Sequence, residues 1–269
     1  MEIVKNKEVR FESSEFLWRY LDLHRLLSFL LTKSLYFTRL DNFDDPLEGL
    51  TENTIKKLDG YERMTNSLNN LKPCITREQM EKIISDYENL KDIIQDQVNK
   101  SQKTQFANCW FINDKESFAM WNLYSNSESV AIKYHPDLLL GIILPSAESF
   151  AHHDFMKFVY GFVDYNDIWP FNYYQKSDKN IVYSAFKKDK SYIHEREFRF
   201  VVVTPIDCIG KYEFFKLPLG DIAKDDFQVI ANPYMEDWKV ENIKQLLQLF
   251  GIENKLKKSM LRVKKNFSQ

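Results

Sequence analysis

Residues 191–204 read SYIHEREFRFVVVT, and this stretch restricts the fold more than any other. Glu195, Glu197 and Arg199 fall at every second position and lead into Val201 and Val203. Successive side chains of a strand alternate between faces. The spacing therefore predicts a strand with Arg196, Phe198, Phe200 and Val202 in a core. Glu195, Glu197 and Arg199 occupy the other face, followed there by the valines. Carboxylates at the rim of a core are costly unless they are paired or used. One reading is a cross-strand ion-pair ladder in which Arg199 clamps a carboxylate. The other is a cleft-lining strand whose acids do chemistry.

The rest of the chain supplies the setting. At 269 residues it can bury a sizeable core without a disulfide or metal. No repeat and no Pro/Gly/Ser-rich linker divides it, so residues 1–269 read as a single domain with an inserted helical segment at about 51–103. EFLWRYLDL (15–23) reads as a short strand or turn entering a helix over 23–33, followed by a β-rich SLYFTRL (34–40). Within the insertion, Met80, Ile83, Ile84, Tyr87, Leu90, Ile93, Ile94 and Val98 form a helical stripe. Strands are expected at 104–112, 128–135, 154–165, 211–219 and 226–233, with a last one at 259–265. Helices are expected at 113–124, capped by Asn113 or Asp114, at 180–193, and at 236–252 with Trp238, Ile243, Leu246, Leu247 and Phe250 inward. This order predicts an α+β fold with a mixed or antiparallel sheet.

Several function classes are disfavoured. A net charge of −2 gives no global pull toward nucleic acid or membrane. Only 7 glycines are present, and no GxSxG, GxxxxGK[ST], CxxC or HExxH occurs, which counts against hydrolase-elbow, P-loop and zinc-ribbon chemistry. Cys74, Cys109 and Cys208 show no ligand spacing, which suits a reduced, cytoplasmic protein. The longest apolar run, LLLGIIL at 138–144, is too short to span a bilayer, so no membrane partner is expected. The basic run from Lys255 to Lys265 reads as a solvated strand and tail, with phosphate contact as the lesser reading.

Three further stretches carry possible chemistry. Asp41, Asp44, Asp45 and Glu48 cluster beside Arg39. They suggest either a turn whose Asp44 or Asp45 caps a helix at Pro46, or oxygen ligands for a metal. NCWFINDKESFAMWNLYSNS places Met120, Trp121 and Tyr124 after a strand, as core or as a ring-stacking surface. His152 and His153 adjoin Asp154 in an expected loop.

LWRYLDLHRLLSFLLTKSLYFTRLDNFDDPLEG, CWFINDKESFAMWNLYSN with VAIKY, and KKDKSYIHEREFRF together resemble the bacterial family known as domain of unknown function 2971. The order is also similar, more distantly, to the ADP-ribosyltransferase fold. That resemblance implies NAD as substrate, with ADP-ribosyl transfer or NAD glycohydrolysis as the activity, in a bacterial defence or toxin context. Glu197 of the Glu195-Arg196-Glu197 triplet would be the catalytic acid, and Glu195 would orient or deprotonate an acceptor. Arg19 would bind the pyrophosphate, with Tyr20, Trp121, Tyr124 and Arg199 as further cofactor contacts. The middle strand lacks the serines of that pattern; Ser117, Tyr124 and Ser125 are the nearby substitutes. A carboxylate facing an oxocarbenium-like ribose would supply the catalysis. The acceptor, protein or nucleic acid, is left open. The alternatives are a metal-dependent nuclease or phosphoesterase using Asp44, Asp45, Glu195 and Glu197, and a non-catalytic binding module of a defence system.

Overall fold

The computed structural model describes residues 2–71, 76–149, 157–168 and 183–263. Cys74 and the His152–His153 pair lie outside them, as do parts of the stretches expected at 154–165, 180–193 and 259–265. In chain order the elements are β1 (Glu2–Lys5), β2 (Phe16–Leu21), α1 (Leu23–Thr32), β3 (Ser34–Arg39), α2 (Glu52–Leu71), α3 (Arg77–Gln102) and β4 (Gln105–Asn113). Then come α4 (Phe118–Tyr124), β5 (Val130–Tyr134), α5 (Pro136–Ser149), β6 (Lys157–Phe162), β7 (Asp164–Asn166), β8 (Lys187–Asp189) and β9 (Glu197–Val203). The chain continues through β10 (Phe214–Pro218), β11 (Phe227–Ala231), α6 (Asp237–Gln248) and β12 (Leu256–Lys258).

A mixed sheet organises these elements into an α+β fold. Its strands run β1-β6-β9-β4-β2-β5-β11-β12, with β3 paired to β4 and β10. The β1–β6 and β11–β12 pairs are parallel and the rest antiparallel. One edge of β4 lies on β9 throughout. The other edge pairs β2 at Phe111–Asn113 and β3 at Phe106–Ala107, so the sheet forks there.

Strand alternation gives the sheet two unlike faces. The first carries Leu17, Phe106, Trp110, Phe198, Phe200 and Val202 under α1, α5 and α6, whose Leu26, Leu30, Leu139, Ile143 and Leu247 are fully buried against it. Each such side chain contributes about 1.5–3 kcal/mol. The second face holds two smaller apolar clusters. One is built on Trp18, Tyr20, Phe111, Met120 and Trp121, the other on Leu40, Ala107, Val159, Phe186 and Val201. This second face carries the charged residues of β9.

Helix α1 begins at Asp22, whose carboxylate accepts from the Arg25 amide, and ends at Lys33 in the left-handed region. Helices α2 and α3 occupy the expected insertion, α3 opening on a capping box of Thr76 and Gln79. Tyr61 stacks on Tyr87 at 4.3 Å across the pair, and Ile94 is the stripe residue that becomes fully buried. Gln102 donates to the carbonyls of Pro46 and Glu48, tying the insertion to that turn.

Five local expectations are corrected. No helix starts at Pro46: Asp45 Oδ1 accepts from Leu47 N, and Gly49 has φ +70, where an added Cβ would run into the Leu40 side chain. Helix α4 is capped by Ser117, because Asn113 is still in β4. Of the helix expected at 180–193, the described part is a short 3-10 turn, strand β8 and a second 3-10 turn; Asp189 Oδ1 takes the Ser191 amide and diverts the backbone. Trp238 is 61% exposed, since the inward stripe of α6 runs through Val240, Ile243 and Leu247. The last strand is Leu256–Lys258, and residues 259–263 leave the sheet. Among the described residues no helix is long and apolar enough to cross a membrane.

Candidate functional site

The acids of residues 195–199 enter a buried charge cluster on the second face. Glu197 and Arg199 point there from β9, opposite Phe111 and Cys109 of β4. Glu195 is not on the strand, as the alternation had suggested. It closes the preceding 3-10 turn, and Arg196 then turns through the left-handed region at φ 39 before β9 begins. Arg196 is thereby thrown to the surface, where it pairs with Asn113 and Glu15, instead of entering the core. A non-glycine residue held at positive φ stores strain, a feature that clusters at functional sites.

Arg199 is the centre of the cluster and is 0% exposed. Its five N–H groups are all used. Nε donates to Glu197 Oε2 at 2.7 Å and Nη2 to Glu197 Oε1 at 2.9 Å. Nη1 and Nη2 reach Glu48 Oε1 and Oε2 at 2.5 and 3.2 Å, and Nη1 also reaches the Ala185 carbonyl at 2.7 Å. The guanidinium thus holds two carboxylates by forked contacts. Lys188 is the second cation. Its Nζ donates to Glu195 Oε2, lies 3.1 Å from Glu197 Oε1 and 3.6 Å from Glu48 Oε2. The Tyr192 ring covers this ammonium and the Phe43 ring faces the guanidinium. Phe186 and Val201 close the apolar side, so the shift from charge to valine along β9 is the edge of this cluster.

Glu195 and Glu197 do not titrate alike. Burial alone would raise the Glu197 carboxyl, but Arg199 and Lys188 outweigh it and hold it well below the usual carboxylate range. Burial and the neighbouring Glu197 charge push Glu195 up to about 7, against the pull of Lys188. Burial and the Glu195 contact raise the Tyr124 phenol. Tyr124 donates to Glu195 Oε1 and is 43% exposed, so it joins the buried acid to the surface. Burial and Glu197 also keep the Cys109 thiol protonated. Tyr165 accepts the Glu197 amide at 2.8 Å, fixing the start of β9.

The expected cofactor residues divide. Arg19 lies on the opposite face, because Arg19 and Trp110 fall in the register set that faces α1, whereas Trp18 pairs with Phe111. Arg19 donates to the Tyr36 carbonyl, which Asn108 also contacts, and so bridges the fork between β2 and β3. Burial pulls its guanidinium down to about 10. It cannot share a cleft with Glu197. Tyr20 and Trp121 are on the correct face but are packed edge to face at 4.8 Å in a core cluster. The Tyr20 hydroxyl accepts the Ser117 amide and the Trp121 indole donates to Glu116, so neither ring is open for stacking. Tyr124 alone of the expected ring contacts reaches both the acids and the surface. Arg199 is spent on Glu48 and Glu197 and has no N–H left for a ligand.

The metal alternative fits poorly. Asp45 is buried beside the cluster and its carboxyl is raised by burial, while Asp44 is exposed. The oxygens of Glu48, Glu195 and Glu197 are already engaged by Arg199, Lys188 and Tyr124. Among the described residues, no group of three or more His, Cys, Asp or Glu side chains is arranged around a metal position.

Two members of the cluster were not singled out as site residues in the sequence. Glu48 appeared as one acid of the Asp41–Glu48 cluster, read as a turn or as metal ligands, and not as a partner of Arg199. Lys188 was hidden in a stretch read as helix. No family model, curated protein or solved structure matches the chain.

Proposed function

We propose that the chain cleaves or transfers the ADP-ribosyl group of NAD, with Glu195 as the acid–base group. The observation that carries this reading is the split protonation of adjacent carboxyls: Glu197 stays ionised while Glu195 titrates near neutrality at the half-open Tyr124 edge. Two titratable groups driven apart by their surroundings are the usual arrangement for acid–base work. In this reaction the ribose C1′–nitrogen bond breaks and its electron pair leaves with nicotinamide. The acceptor oxygen bonds to C1′ and gives its proton to Glu195, with the Tyr124 hydroxyl in line. The Glu197 anion, held by Arg199 and Lys188, raises Glu195 so that it is basic enough to take that proton. As the resemblance implied, Glu195 takes the acceptor's proton; Arg19 and Trp121 take no part in this reading.

Nicotinamide release from NAD, followed by chromatography with water as acceptor, tests the reading. Wild-type protein releases it, and Glu195→Gln loses at least about a hundredfold in rate while retaining its melting temperature near neutral pH. No release by folded wild type, or an equal rate in Glu195→Gln, overturns the assignment and leaves a structural ion cluster.

A further inference from the structure

The β11–α6–β12 unit is a parallel β–α–β crossover at the sheet edge, with Ala231 beside Lys258 at the carboxyl ends of both strands. A cavity of about 490 Å³ opens there. Beyond the carboxyl ends of these two strands the chain turns away, and the cavity is lined from Ala231–Pro233 on one side and Lys258–Val263 on the other. The volume lies within the range of small-molecule sites.

The lining divides into an apolar wall and a charged rim. Met235, Val240 and Leu261 supply the wall, and Lys258, Arg262 and Asp237 the rim. Lys258 Nζ stands 3.6 Å from Asp237 Oδ1, with both side chains exposed, a screened pairing that a ligand anion can displace. Arg262 has no ion-pair partner among the described residues. The other polar linings are engaged elsewhere. Asn232 donates to Ser125 and Asn126, and the Ser259 hydroxyl donates to Glu116. Glu116 also accepts the Met260 amide at 2.5 Å and the Trp121 indole at 2.9 Å, so the cavity wall is fixed before any ligand arrives.

We propose that this cavity binds a phosphate ester carrying an aromatic or apolar group, of mononucleotide size. The Arg262 fork and the Lys258 charge hold the phosphate, and Met235, Val240 and Leu261 cover the ring. A nucleic-acid strand is the poorer fit, since strong backbone binding needs several phosphate contacts and Lys258 and Arg262 are the cations among the lining residues. The inference does not depend on the Glu195 chemistry.

Calorimetric titration of the full chain with adenosine monophosphate, inorganic phosphate and a single-stranded oligodeoxynucleotide tests it. Adenosine monophosphate binds more tightly than inorganic phosphate. Arg262→Ala and the cavity-filling Val240→Trp each weaken it by about tenfold or more, and Glu195→Gln leaves it unchanged. Arg262 is exposed, so its variant reports binding even if Val240→Trp unfolds. The proposal is overturned if the monophosphate does not bind, if Arg262→Ala binds it equally well, if inorganic phosphate matches it, or if the oligonucleotide binds more tightly.

Discussion

Replacing Arg199 with Met removes the central cation from a site with no exposure. Glu48 is then left with Lys188 at 3.6 Å, and Glu197 with Lys188 at 3.1 Å. Five hydrogen bonds disappear together, those to Glu48, Glu197 and the Ala185 carbonyl. Removing one partner of a buried ion pair costs about 3–5 kcal/mol, because the remaining charge stays desolvated. Urea unfolding reads this as a lower midpoint at unchanged slope. At this chain length, where 1 kcal/mol shifts the melting temperature by about 2–4 °C, the drop is on the order of 10 °C. The loss also depends on pH. Without the guanidinium, burial at Glu197 is no longer outweighed as before, and its carboxyl rises from well below the usual carboxylate range. The deficit therefore shrinks as pH falls below about 4.3 and widens above it. A deficit under about 1 kcal/mol, or one that is constant across this range, would refute the argument. Arg77, paired with Glu81 on the solvent side of α3, is the control, and Arg77→Ala leaves stability unchanged.

Other consequences are checked more simply. Glu195 is raised from 4.5 to about 7, so its stabilising contribution is present below the unfolded value and is lost as pH rises through 7. The wild type therefore loses stability on the order of 3 kcal/mol from this group between pH 5 and 8, and Glu195→Gln flattens that slope in urea titrations. Tyr124→Phe removes the hydrogen bond to the Glu195 carboxylate and moves that titration further up, at a stability cost of about 1 kcal/mol. A midpoint that does not rise contradicts the contact. Gly49→Ala combines a left-handed φ with a Cβ 2.4 Å from Leu40 Cδ1 and displaces the adjacent Glu48. It lowers stability by about 1–3 kcal/mol, read by thermal melting.

The elements that alternate cleanly were legible in the sequence. The aromatic and β-branched runs at 105–113, 130–134, 157–162 and 227–231 could satisfy their side chains only in a sheet. The parity of Phe198, Phe200 and Val202 identified the core face of β9. Parity within one strand, however, says nothing about which face a second strand presents. Arg19 and Glu197 each lay on a strand, and only the β2–β4–β9 register put them on opposite sides. Trp121 and Tyr124 looked alike in sequence, three residues apart on one helix; packing buried the first and left the second at the surface. Lys188 escaped because the Asp189 side chain, a local competitor for backbone amides, broke a helix that the residue pattern allowed. Glu48 was visible as an acid in a turn, but its partner is 151 residues away.

The central claim is that Arg199 locks Glu197 as an anion while Glu195 keeps an exchangeable proton near neutrality. Site-resolved carbon NMR of the glutamate carboxyls across a pH titration measures it directly. Glu195 is expected to show a midpoint close to 7, and Glu197 no titration through the usual carboxylate range. A Glu195 midpoint at an ordinary carboxylate value, or a Glu197 that titrates with the surface acids, would contradict it.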